Sequence, residues 1–562
     1  MILIFFVGSM ASAQVSFVEK AQDLGISVTC GYTFLGNGIS FYDYDKDGWD
    51  DITIASADGD PIHFFKNFNG NFISHNINIP NNVLENKQIN WVDIDNDGDN
   101  DLFVTSASSG NRLYENTGNM IMQDITSSSG MLPDNFPYYG ASWGDYNNDG
   151  FLDVFICVRD NSIPNILYKN NGDKTFTLVN NQAGLLTTGY MTLCAAFLDY
   201  DNDGDQDIYV SNDKTVVPNL MYRNNGDGTF TEVGAITGTN ISIDAMSVTV
   251  EDLNNDGWLD MYITNEPQGN VLFVNNGDGT FTDMAQSYNV TYNSTSWSAI
   301  FIDADNDKDL DLYVSGENNG IISNQLSSAF YINNDNGTFT LNNSAVPGDF
   351  ASSHGNALGD IDNDGFPDIV VNNISHNNIF LWKNNTNFVN NWLGVSLEGT
   401  VSNKQGIGSF IEISINGEIQ NRYTLLGEGY LSQNSGTEFF GLGPATTVDY
   451  VKVKWLSGLE DVFFNVNANQ HLNITEGASL SVDEFDPNHL KIGPNPVNNM
   501  LSLRAQNTID NVTVYNMLGQ AVLKAQPNNV NGEIDMTRLQ SGAYFVAVTI
   551  SSITKTVKVI KQ

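Results

Sequence analysis

The chain has 562 residues, 66 Asp and Glu against 23 Lys and Arg, and a formal net charge of −43. Such an acid surplus excludes a nucleic-acid backbone or an anionic membrane surface as partner. With 41% hydrophobic and 11% aromatic residues, the acid is not that of a disordered chain. Cys30, Cys157 and Cys194 cannot build a disulfide framework and lack zinc-site spacing. They read as small buried thiols, with a Cys157–Cys194 bridge as the alternative.

Residues 1–13 read as a signal peptide. Ile2 to Val7 is apolar, and Ala11-Ser12-Ala13 before Gln14 has the small-residue pattern of a cleavage site. No Lys or Arg precedes the run, so the peptide reads as truncated. No other segment reaches the roughly 18 consecutive apolar residues of a membrane span.

Internal repeats set the architecture from residue 14 to 388. Seven acidic strings of nine residues recur: Asp43–Asp51, Asp93–Asp101, Asp145–Asp153, Asp199–Asp207, Asp252–Asp260, Asp303–Asp311 and Asp360–Asp368. Their starts lie 50, 52, 54, 53, 51 and 57 residues apart. Each follows a short apolar stretch and runs into a β-rich one. About twenty residues on comes a second signature, such as LYKNNGDKTF or MYRNNGDGTF, in which a turn joins two strands of a hairpin. Four strands per repeat make one propeller blade, so the expected fold is all-β, with a seven-bladed β-propeller first. The last repeat lacks a good fourth strand, and residues 15–26 resemble the missing one. The N-terminal strand is expected to complete the final blade and leave no open edge.

The strings carry oxygen at alternating places. Position 1 is Asp43, Asp93, Asp145, Asp199, Asp252, Asp303 and Asp360, and position 3 is Asp45, Asp95, Asn147, Asp201, Asn254, Asp305 and Asp362. Position 5 is Asp47, Asp97, Asp149, Asp203, Asp256, Asp307 and Asp364, and position 9 is Asp51, Asp101, Asp153, Asp207, Asp260, Asp311 and Asp368. Hard oxygens at this spacing, with Gly after position 5, suit structural Ca²⁺, up to seven ions. An EF-hand needs Glu at position 12, where these strings have Ile54, Val104, Ile156, Val210, Ile263, Val314 and Val371. So position 12 lies in a strand, and position 9 closes the site. Lys308 stands where the other six strings have Gly, which makes the sixth site the expected weakest.

These repeats resemble the FG-GAP/VCBS repeats of integrin-α-type propellers. The resemblance implies cation loops on one face of the disc and a protein- or glycan-binding face opposite. It also implies that position 7 (Trp49, Asp99, Phe151, Asp205, Trp258, Asp309 and Phe366) binds through its backbone carbonyl.

Residues 389–477 lack acidic strings and alternate strands with Gly turns, giving a small β domain. FGLG at Phe440–Gly443 and WLSG at Trp455–Gly458 resemble the UnbV domain of acidic cartilage-type proteins, which implies an accessory module. A linker covers 478–488. Residues 489–562 read as short strands suited to an Ig-like β-sandwich. Pro494–Pro496, the Gly519-Gln520 turn and the basic Lys555, Lys558 and Lys561 resemble a type IX secretion C-terminal sorting domain. That resemblance implies a chain secreted or placed on the outer surface of a Gram-negative bacterium, with the secretion machinery as partner.

No catalytic constellation is recognisable. The G-x-S-x-G at Gly140–Gly144 runs along a strand rather than into a strand-turn-helix, so Ser142 is not read as a nucleophile. One residue per repeat lies six places before each string, at the expected mouth of the axial funnel. Of these, Lys87, Tyr139, Trp297 and His354 form a polar-aromatic set suited to sugar or peptide, while Leu193 and Met246 read as core. The expected function is extracellular binding or adhesion toward a glycan or protein ligand. The alternative is a polysaccharide lyase or glycosidase with its site on the face opposite the loops.

Overall fold

The computed structural model describes residues 15–292, 294–317, 327–374, 377–387, 389–480, 490–517, 520–550 and 553–562. The expected signal peptide, and the expected linker from residue 481 on, lie outside these residues. The chain divides into two compact units, Met1–Ser479 and Leu480–Gln562. No helix among the described residues is long and apolar enough to cross a membrane.

Among the described residues the first unit is all-β apart from short helices at Gly234–Thr237 and Ala285–Tyr288, and a 3-10 turn spans Ala478–Leu480. Each repeat folds into one antiparallel sheet. In the third, the strands are Tyr138–Gly144, Asp153–Val158, Ile166–Asn170 and Phe176–Leu178. The first two are buried throughout, the third nearly so, and the fourth only at Phe176. That gradient follows from packing sheet against sheet around a ring: inner strands have both faces covered and so read as continuous apolar runs. Aromatics fill the seams. Trp143 meets Phe103 of the preceding repeat edge-on, with ring centroids 5.3 Å apart.

The ring closes as the repeat pattern predicts. Phe17–Glu19 pairs antiparallel with Phe380–Asn384, with Phe17 opposite Asn384, and supplies the fourth strand of the last repeat's sheet. Ile39–Tyr42 of the first repeat packs beside Ser353–Gly359 of the seventh. The arrangement is that of a β-propeller. Cys30, Cys157 and Cys194 are buried free thiols, so the Cys157–Cys194 bridge does not form.

Residues 391–475 add two sheets that face each other. One orders Thr437–Gly443, Asn391–Glu398 and Gln470–Thr475; the other orders Glu418–Tyr423, Phe410–Ile415, Thr447–Lys454 and Glu460–Asn467. Leu393, Val395, Ile411, Ile413, Phe440, Val451 and Trp455 fill the space between them. Between Tyr423 and Thr437 the chain leaves this domain and threads the centre of the ring. Ser432–Gln433 pairs in parallel with Ile39–Tyr42 as a fifth strand of the first sheet.

This segment touches the first strand of every repeat. Ile39 N–H donates to Leu431 O at 3.3 Å, Trp91 N–H to Gln433 Oε1 at 2.8 Å, Trp143 N–H to Leu426 O at 2.9 Å and Cys194 Sγ to Gly429 O at 2.7 Å. Gly429 N–H donates to Val248 O at 3.1 Å, Tyr430 N–H to Ser298 Oγ at 3.0 Å and Leu358 N–H to Asn434 Oδ1 at 3.0 Å. Inner-strand groups that would otherwise face an open channel find their partners in it.

In the second unit the long strand Met500–Tyr515 organises everything. Its first part pairs with Lys491–Gly493 and Asn529–Asp535, and its second part with Ala521–Ala525 and Gly542–Ile550. Ile553–Lys561 completes the sheet on the far side of Gly542–Ile550. Leu501, Leu503, Val512, Val514, Ile534, Val546 and Val559 form its core.

Candidate metal centres

Each acidic string is a loop joining the first two strands of a repeat, and its conformation is fixed by its own carboxylates. The position 1 Oδ2 accepts the position 6 N–H in all seven, from 2.8 Å (Gly48, Gly150, Gly257, Gly365) to 3.1 Å (Gly204). The position 5 Oδ1 accepts the position 7 N–H at 2.9 to 3.2 Å, which anchors Trp49, Asp99, Phe151, Asp205, Trp258, Asp309 and Phe366. Position 6 is left-handed, with φ between 78° (Gly365) and 95° (Gly98), hence the glycines. Lys308 adopts the same turn at φ 91°. Its ammonium is not directed at its own loop; it pairs with Glu418 of the neighbouring domain. Position 4, Asn in six loops and Lys46 in the first, is also left-handed, a conformation Asn tolerates well.

Position 9 is the buried floor. Asp51, Asp101, Asp153, Asp207, Asp260, Asp311 and Asp368 are all at most 2% exposed. Burial pushes the Asp51 carboxyl up to about 9 and those of Asp101 and Asp260 to about 8. Asp153, Asp207, Asp311 and Asp368 are driven well above the usual carboxylate range by the same cause, and nearby loop carboxylates push the same way.

Three carboxylates bring an oxygen each within 4.8 Å of one another in five loops: Asp43, Asp45 and Asp51; Asp93, Asp95 and Asp101; Asp199, Asp201 and Asp203; Asp303, Asp305 and Asp307; Asp360, Asp362 and Asp368. The third and fifth loops have an amide, Asn147 or Asn254, at position 3, so only their carboxylate count falls short. Asp45 Oδ1, Asp93 Oδ1, Asp153 Oδ2, Asp201 Oδ1 and Asp362 Oδ1 are buried without a hydrogen-bond partner. Converging oxygens with unspent lone pairs fit a hard divalent cation. Such an ion would hold the floor carboxylates ionised against their burial first and against the repulsion of their neighbours second.

The hairpin asparagine ties each loop to the hairpin of its own repeat. Asn67, Asn116, Asn170, Asn224, Asn275, Asn333 and Asn384 each donate their backbone N–H to the position 9 Oδ1 at 2.6 to 2.9 Å. The side chains of five reach back to the preceding loop: Asn67 Nδ2 to Ile361 O, Asn170 to Ile94 O, Asn224 to Tyr146 O, Asn275 to Tyr200 O and Asn384 to Ala304 O. Position 4 adds a second tie. Asn96, Asn202, Asn306 and Asn363 donate to the position 6 carbonyls of Gly150, Gly257, Gly365 and Gly48, the last closing the circle. Invariance of the hairpin asparagine across all seven repeats was the available clue.

The funnel set is brought together and covered. Lys87, Tyr139, Trp297 and His354 are 0, 2, 5 and 6% exposed. Tyr139, Leu193, Met246 and Trp297 pack on Tyr430 and Leu431 of the threaded segment. Lys87 Nζ donates to Phe34 O at 2.7 Å and Gly36 O at 2.9 Å, and lies 3.2 Å from Glu85. His354 and Trp297 share Glu317. Ser142 is 3% exposed inside its strand, where its Oγ accepts the Phe197 N–H at 3.1 Å.

Comparison with known proteins agrees with this anatomy. The FG-GAP-like repeat model matches residues 43–104, 93–156, 155–210, 199–263, 252–314 and 321–371. The ASPIC and UnbV model matches 399–481, and a secretion system C-terminal sorting domain matches 491–562. Cartilage acidic protein 1 of Xenopus tropicalis is 24% identical over 487 residues, covering 76% of this chain and 71% of its own. The Homo sapiens protein of that name is 24% identical over 476 residues, covering 76% and 69%. Among solved structures, the extracellular domain of the one component system BT4673 from B. thetaiotaomicron aligns at 12% identity and TM-score 0.38 over 98% of this chain, which spans 59% of that structure. The chain belongs to the FG-GAP-like repeat family, with an ASPIC and UnbV domain and a secretion-system C-terminal sorting domain following its repeats.

Proposed function

We propose that the mature protein is a calcium-loaded, seven-bladed propeller, exported by a Gram-negative bacterium, that binds an extracellular glycan or protein ligand without chemistry of its own. The buried, partnerless carboxylate oxygens of the loops carry the calcium reading. Positions 1, 3, 5 and 9 would supply side-chain oxygens and position 7 its carbonyl, approaching the six to eight ligands Ca²⁺ takes. The ion's part is charge compensation and stiffening of the loop. The sorting domain supports passage through the secretion machinery and removal of the last unit, an all-β unit that we read as Ig-like.

A binding role is preferred to a lyase or glycosidase because the funnel groups suited to acid–base work are spent on internal partners. Exposed Tyr32 and Phe34, the latter with the Arg159 guanidinium 5.5 Å from its ring, belong to the stretch that covers them and offer a ligand the first contact. Melting the protein across a Ca²⁺ series tests the metal reading. The midpoint rises with Ca²⁺, falls in chelator and responds poorly to Mg²⁺. An unchanged midpoint in chelator overturns it. A glycan and matrix-protein array with and without chelator tests the ligand.

A further inference from the structure

The residue just before each hairpin asparagine varies: Lys66, Glu115, Lys169, Arg223, Val274, Ile332 and Lys383. It stands on the third strand, beside the loop of its own repeat. Lys66 Nζ pairs with Asp45 and lies 2.9 Å from Asp47 Oδ2. Lys169 Nζ lies 3.1 Å from Asp149 Oδ2, and Lys383 Nζ pairs with Asp362. These carboxylates occupy positions 3 and 5, where a cation would sit. In the second loop the place is taken by Glu115, and Lys174 from the next repeat bridges it to Asp95, at 2.5 and 2.8 Å. Among the described residues, no ammonium or guanidinium pairs with a ligand carboxylate of the fourth, fifth or sixth loop.

We propose that this third-strand residue grades the loops by affinity: its ammonium competes with the metal, so the first, third and seventh loops fill last and the fifth and sixth first. The inference rests on the calcium reading. Its physical basis is that a charge held against one ligand repels a divalent ion in the same site, through a partly buried path that water screens incompletely. It also reverses the ranking drawn from Lys308, whose charge is committed to Glu418 and not to its loop.

Two loops have their own reporter, since position 7 is Trp49 in the first and Trp258 in the fifth. Trp392 lies against Gly365 of the seventh loop, so terbium emission is read in full-length Trp392→Phe protein carrying Trp258→Phe or Trp49→Phe, which reports the first or the fifth loop in turn. The fifth loop should half-fill at about tenfold lower free Tb³⁺ than the first, and Ca²⁺ should displace Tb³⁺ from both. Lys66→Met should close that gap, while Lys66→Arg, which keeps the charge, should leave it open. Val274→Lys should move the fifth loop toward the first. Equal midpoints in the parent protein, or a first-loop midpoint unmoved by Lys66→Met, overturn the proposal while leaving the calcium reading intact. No emission from either loop, together with a melting temperature indifferent to Ca²⁺, removes both.

Discussion

The hydroxyl of Tyr430 donates to the carbonyl of Leu35 at 2.6 Å, joining the tip of the threaded segment to a stretch that closes the end of the ring remote from the cation loops. Tyr430 is fully buried, tilted against Trp297 with ring centroids 4.9 Å apart. The domain that follows the repeats therefore supplies part of the repeats' own core. Both lie within the one compact unit Met1–Ser479.

Tyr430→Ala should cost about 3–5 kcal/mol, the range for removing a buried aromatic, and Tyr430→Phe about 1 kcal/mol. The loss should lower a single unfolding transition reported alike by repeat and ASPIC/UnbV probes. Two separate transitions, with only the latter moved, would refute the shared core.

Gly427 offers a sharper test of the path. Its φ is 91°, and a Cβ there would lie 2.2 Å from Ala141 O. Gly427→Ala should displace the segment at the third repeat and destabilise by more than the roughly 1 kcal/mol of a left-handed penalty alone. Denaturant midpoints for this variant and for Gly458→Ala, at similar φ (82°) with no atom within 4 Å of the added carbon, separate clash from strain.

Asn170→Ala should cost more than any neighbouring turn substitution. Asn170 Nδ2 is shared between Ile94 O at 2.7 Å and Leu152 O at 3.1 Å, both buried. Stranding buried carbonyls costs about 1–3 kcal/mol, whereas exposed Asn171 should tolerate Ala within about 0.5 kcal/mol. The metal-free protein should show the difference too, because these bonds do not involve the ion. An effect confined to Ca²⁺-loaded protein would sink the assignment.

Sequence pattern made the repeats, the loop positions and the closing N-terminal strand legible, because each is written locally and several times. Seven strings sharing one spacing leave little choice for Asp51 or Asp368. What stayed hidden was written once. The threaded segment has no periodicity of its own, and Gly427, Tyr430 and Gln433 make sense only against strands hundreds of residues earlier. For the same reason Lys87 and His354 read as an open patch: their cover comes from residues 33–36 and from Tyr430. Lys308 was legible as a departure from Gly, but its partner Glu418 lies 110 residues on.

Lys308→Gly should relieve a left-handed residue worth about 1 kcal/mol and lose an ion pair to Glu418, which is mostly exposed and worth no more than about 1 kcal/mol. The net change in melting temperature should therefore be small and equal with and without Ca²⁺. A gain seen only when Ca²⁺ is present would show that the ammonium repels the ion after all.

Glu251, Arg422, Glu428 and Glu438 line one cavity beside the threaded segment. Burial lifts the Glu428 carboxyl to about 7 and that of Glu251 to about 8, and drives Glu438 well above its ordinary value. Arg422 opposes this at Glu251 and Glu438, and Asp303 lines the same cavity. Glu428 Oε1 accepts from Asn434 Nδ2 at 2.6 Å, while Oε2 is buried without a partner. A carboxyl raised in the fold holds its proton longer there than in the unfolded chain, so its contribution is complete below the unfolded value near 4.5 and is lost as pH rises through 7. At saturating Ca²⁺, which keeps the loop aspartates ionised, stability should fall between about pH 5 and 8. Glu428→Gln keeps the bond from Asn434 and removes the titrating proton. It should flatten that fall and melt higher than the parent at pH 8, with little difference at pH 5. Parallel melting curves for the two proteins across the range would show that Glu428 is not held protonated by the fold.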